Sequence, residues 1–193
     1  MGDVVPLLAP RPRRQRAGAL AMGAFLGVWF VAFLAMFALL ASHRLATPRW
    51  PPAELPAPGT SLGLLGLALM LLGSGALELG LARLREGRPE VLAPALLVTL
   101  VLGGAFATLE WPLGRELWAQ RGTDEPWATA VLGLFALHAA QLTAGLGALA
   151  WLTVRAFQRA YAPARHLPVR LWATFWHSMG AAWACAFASV FLV

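Results

Sequence analysis

Four ionisable side chains interrupt otherwise apolar stretches of this chain: Glu78, Glu110, His138 and His177. An ionisable group in hydrocarbon is costly and is a functional candidate by default, usually facing a partner group. Gln141 joins them, because an unpaired amide in hydrocarbon is costly too. A carboxyl group beside an imidazole can share a proton, two imidazoles can ligate a haem iron, and all five residues can tie helices together by hydrogen bonds. No His-x-x-x-His or Glu-x-x-His pattern occurs, and the single cysteine, Cys185, can form neither an internal disulfide nor a thiolate cluster. Nothing in the residue order resembles a phosphate-cradling glycine loop or a Ser/His/Asp triad.

The elements that must position these groups are membrane spans. Of 193 residues, 59% are hydrophobic and only 12% charged, where a soluble domain has about a quarter charged. The net charge of +6 comes with fifteen basic residues, all arginine. They sit between apolar runs, where they set topology, and form no basic stripe of the kind that binds nucleic acid. Spans of about 20 residues cross a bilayer, and the apolar runs give five, at residues 17–42, 61–84, 91–111, 127–154 and 171–193. The first is too long for the apolar region of a secretory signal, so it is expected to remain as a helix after the 1–16 tail. Pro48, Pro51, Pro52, Pro56 and Pro58 make the first connection an extended loop, with Trp50 as an interfacial anchor. Residues 115–126 are a polar connection flanked by Trp111, Trp118 and Trp127. Eleven arginines fall in the N-terminal tail and the second and fourth loops, and four in the first and third. The expectation is therefore an all-α bundle of five transmembrane helices, N-terminus cytoplasmic and C-terminus periplasmic.

Depth along the spans decides which polar groups can meet. At 1.5 Å per residue, Glu78 and His177 lie roughly 9 and 12 Å from the cytoplasmic ends of their spans. Glu110 and His138 lie roughly 27 and 25 Å deep, with Gln141 at about 20 Å. Two couples are therefore expected, Glu78 with His177 and Glu110 with His138. The two histidines differ in depth by about 13 Å, which argues against their serving as axial ligands of one haem. Interhelical hydrogen bonding, on the order of 1 kcal/mol per bond, accounts for all five groups without a catalytic role. Glycine pairs, Gly63 with Gly66, Gly73 with Gly75, Gly103 with Gly104 and Gly145 with Gly147, suit close helix packing.

The most specific pattern spans the last two helices. It runs Leu137-His138-Ala139-Ala140-Gln141-Leu142-Thr143-Ala144-Gly145, then Phe175-Trp176-His177-Ser178-Met179-Gly180-Ala181-Ala182-Trp183. This resembles the subunit III family of haem-copper respiratory oxidases, which carries His-x-x-His-x-x-x-Gly followed by Trp-His-x-x-Asp-x-x-Trp. Glu110-Trp111 resembles the family's Glu-Trp, Gly27-Val28-Trp29 its Gly-Met-Trp, and residues 72–78 a segment with paired serines before a histidine. Departures are equally specific. Gln141 stands in place of the second histidine, Gly180 in place of the aspartate, Glu78 in place of a histidine, and Ala35 in place of a buried glutamate tied to proton uptake or lipid contacts.

The resemblance implies a divergent short form with five spans and no catalysis or cofactor of its own. Haem and copper would reside in partner subunits. This chain would pack against the catalytic subunit I and with subunit II in a bacterial inner membrane, bind phospholipid in its helix clefts, and help sustain turnover. The nearest alternative is an accessory subunit of a nitric oxide reductase. A small independent transporter is more distant, since the chain shows no inverted repeat and no paired interrupted helices.

Overall fold

The computed structural model describes residues 12–46, 49–50, 60–119 and 126–192. Its helices are α1 (Pro12–Ala46), α2 (Thr60–Arg85), α3 (Leu92–Ala119), α4 (Pro126–Phe157) and α5 (Leu167–Phe187), with a π-helical extension of α5 at Ala188–Leu192. All five are long and apolar enough to cross a membrane, so the protein is an all-α, multi-pass membrane protein. Residues 1–11, in the expected tail, and most of the proline-rich first loop lie outside the described residues.

Several span boundaries differ from the sequence expectation: α1 begins at Pro12, inside the expected 1–16 tail, and reaches Ala46, and α4 runs on to Phe157. α3 does not stop at residue 111 but continues through Pro112 to Ala119. Proline removes one backbone donor, yet Leu113 and Leu117, four residues apart, are both buried while Arg115 and Glu116 point outward. A continued helix keeps the two leucines in the core, and the polar residues occupy its outer side. α5 starts at Leu167 instead of 171, with Pro168 in its first turn and Val169 fully buried. Proline is tolerated there because first-turn amides have no intrahelical acceptor.

The turns explain why successive helices run antiparallel. α2 ends with Gly87 at φ 85°, Gly87 N–H donating to Leu84 O (3.1 Å) and Arg88 N–H to Arg83 O (2.9 Å). This is the glycine-terminated cap that satisfies orphan helix carbonyls. α4 ends in the same pattern around Arg159, whose φ of 55° is unusual for a residue with a side chain. Tyr161 packs beneath that turn, where burial pushes its phenol above the ordinary value and the nearby Arg155 opposes the shift.

α2, α3, α4 and α5 form a four-cornered bundle in which α2 packs on α3 and α5, and α4 on α3 and α5. α1 leans on the outside of α4 and α5. Trp176, Phe106 and Phe175 fill the centre. At Gly80 the α2 backbone comes so close to α3 that an added Cβ would sit 2.6 Å from the Ala95 Cβ. Only glycine permits that approach. Of the glycine pairs expected at packing surfaces, Gly63 and Gly66 both meet neighbours, as do Gly73, Gly103 and Gly145, whereas Gly75, Gly104 and Gly147 face open space. Residues one or two apart on a helix cannot share a face.

The C-terminal ends of α1 and α5 are tied together. Arg44 donates to Ser189 O (3.1 Å) and Trp50 Nε1–H to Val190 O (3.0 Å). The Arg44 guanidinium also lies 5.8 Å from the centre of the Trp50 ring, a cation–π arrangement. The carbonyls left free at the end of α5 thus find donors from the α1 side.

Candidate functional site

Both expected couples form. His138 Nδ1 on α4 lies 3.0 Å from Glu110 Oε1 on α3. The other ring nitrogen, Nε2, lies 3.4 Å from the Met179 carbonyl on α5, so the couple joins three helices. Both side chains are shielded, 2% exposed for His138 and 10% for Glu110. Phe106 meets the imidazole edge-on at 5.8 Å, and the Trp183 ring lies 5.6 Å away at a tilt.

A carbonyl can only accept, so the contact with Met179 O suits the tautomer that carries its proton on Nε2, with Nδ1 facing the Glu110 carboxyl.

Gln141 lies one turn along α4 from His138. Its Nε2–H reaches Ser178 Oγ on α5 at 3.4 Å, and Ser178 Oγ–H donates to Phe175 O at 2.7 Å. Gln141 Oε1 is buried and has no hydrogen-bond donor among the described residues.

The second couple is built differently. His177 on α5 spans two residues one turn apart on α2, with Nε2 2.9 Å from Glu78 Oε1 and Nδ1 3.1 Å from Ser74 Oγ. Its side chains are 39% and 51% exposed for His177 and Glu78. Glu78 is seven residues before the end of α2 and His177 ten after the start of α5, which is roughly 10 and 15 Å along the axes. The couple therefore lies on the outer surface of the bundle at a depth occupied by lipid chains.

No family model and no curated protein matches this chain.

The arrangement itself limits the chemistry. Among the described residues no three His, Cys, Asp or Glu side chains gather as a metal site would require. Each couple can hold and shift one proton between an imidazole and a carboxyl group, and each ties helices together across the bundle. Three residues of the motif patterns lie side by side: Glu110 is bonded to His138, and the Trp183 ring lies at a tilt beside His138 and edge-on to Phe106 at 5.1 Å, whereas His177 belongs to the other couple and Trp111 is exposed.

Sequence reasoning missed a cleft of about 800 Å³ between α1 and α5. Trp29, Phe33 and Phe37 line it from α1, Ala181, Ala182 and Cys185 from α5, with Gln141 and Ser178 in the wall and Arg44 also lining it. The signal was present as aromatics every fourth residue on one helix and small residues on the other. It has no meaning until α1 and α5 are known to be neighbours.

Proposed function

We propose that this chain is a subunit-III-like accessory component of a haem-copper terminal oxidase in a bacterial inner membrane. In this reading it packs against the catalytic subunit I together with subunit II, and those partners hold the haem and copper where electrons reach oxygen. The observation that supports it most is convergence. Glu110, His138 and Trp183, motif residues on three different helices, meet in one contact cluster across α3, α4 and α5. A packing role for these groups agrees with their geometry, since each bond joins different helices. The cleft between α1 and α5 suits a phospholipid, with an apolar wall for acyl chains and the Arg44 guanidinium for a phosphate group.

The departures at Ala35, Gln141 and Gly180 favour a second reading, an accessory subunit of a nitric oxide reductase. One experiment tests both. The chain is recovered from its native membrane in mild detergent, its companions are identified by mass spectrometry, and a reduced-minus-oxidised haem spectrum is taken of the same sample. A large haem-copper subunit with a high-spin haem signal supports the accessory role, and the identity of that subunit chooses between oxygen and nitric oxide. Recovery of the chain alone, without haem, contradicts it.

A further inference from the structure

The surface shared by α2 and α5 carries a polar group that lipid chains cannot satisfy. Glu78 and His177 answer each other, but the second carboxyl oxygen of Glu78 has no donor among the described residues, and half of that side chain is exposed. Ionisable groups at such depth almost always face a bundle interior or a cavity, not acyl chains. This couple faces outward, so its interior must be completed by something beyond the chain.

One helical turn from the couple the exposed residues are small: Gly75 and Ala82 on α2, and Thr174 and Ala181 on α5, the last also in the wall of the cleft with α1. Leu79 beside Glu78 and Leu71 two turns before it are exposed as well. A side chain added at Gly75 would meet no atom within 4 Å. Small residues beside a hydrogen-bonding group are what a close helix–helix contact in a membrane uses. α1 offers the contrast: Leu20, Val28, Val31 and Leu34 are more than half exposed, large and apolar, and lipid chains suit them fully. The least buried helix is therefore not the one that calls for a partner protein.

We infer that the α2/α5 seam around Glu78 and His177 is where the haem-carrying subunit docks, through a transmembrane helix that presents a hydrogen-bond donor to the free Glu78 oxygen. The occupant is chosen by complementarity, because Glu78 offers an acceptor in a medium that supplies no donors. A hydroxyl, amide or cationic side chain on the incoming helix fits, and the small residues let its backbone approach. This inference rests on the function proposed above.

The test places a photo-crosslinking residue at position 75 or 174, and as controls at positions 20 and 31, in the full chain in its native membrane. Positions 75 and 174 are expected to capture the haem-carrying subunit, and the controls to capture none of it. In addition, Glu78→Leu is expected to lower the haem recovered with the chain roughly five- to tenfold, the loss that one interhelical hydrogen bond gives. Capture of the haem-carrying subunit from positions 20 or 31 and not from 75 or 174 overturns the seam while leaving the proposed function standing. Dimers of this chain captured from position 75 make a second copy the occupant and overturn it as well. Absence of any haem-carrying subunit from the recovered material removes the proposed function and this inference together.

Discussion

The two carboxyl–imidazole couples use the same residue types at nearly the same distance, 3.0 Å for Glu110–His138 and 2.9 Å for Glu78–His177. What differs is their surroundings. The first is enclosed by aromatic rings and gives its remaining nitrogen to a backbone carbonyl, so every strong polar contact stays within the bundle. The second leaves half of Glu78 open on the outer surface. Identical chemistry thus serves the interior of one chain in one case and a surface that needs a neighbour in the other. Burial, not residue type, separates a bond that holds the fold from a bond that awaits an assembly.

Mutation tells the two couples apart, and the largest effect is expected at the enclosed couple. His138→Leu strands the Glu110 carboxyl, and breaking a buried pair in this way costs about 3 kcal/mol. Chemical or thermal unfolding of the isolated chain in detergent micelles reads that loss directly. Gly80→Ala removes no polar contact but forces α2 from α3, at an expected cost of about 2 kcal/mol, typical of overpacking. It calibrates how much of the first effect is polar. Glu78→Ala should cost the isolated chain about 0.5 kcal/mol, because its stranded partner, His177, is already open to the surroundings. Ser74→Ala should cost no more than a few tenths of a kcal/mol, since His177 keeps Glu78. A double-mutant cycle sharpens the contrast: coupling between Glu110 and His138 should clearly exceed that between Glu78 and His177.

Much of this was legible in the sequence. Apolar length marked all five spans, and a rise of 1.5 Å per residue was enough to match partners across helices by depth. Rotation about each helix axis was not legible. In a soluble helix the polar face announces the outside, but in a membrane both lipid-facing and interior positions are apolar, so the period carries little contrast. Hence nothing distinguished an inward Glu110 from an outward Glu78. The extension of α3 was hidden for a related reason: Arg115 and Glu116 read as a loop, while the spacing of Leu113 and Leu117 that carries the helix onward is outweighed by Pro112. The cleft between α1 and α5 depends on a contact between the first and last helices, which no local pattern encodes.

The most direct test compares Glu78→Leu with Glu110→Leu by two readouts, the unfolding midpoint of the isolated chain and the haem co-purified from the native membrane. Glu110→Leu is expected to lower the midpoint clearly, whereas Glu78→Leu leaves it nearly unchanged and reduces the co-purified haem. An equal fall in midpoint for both variants, or full haem recovery with Glu78→Leu, would contradict the division of labour between the two couples.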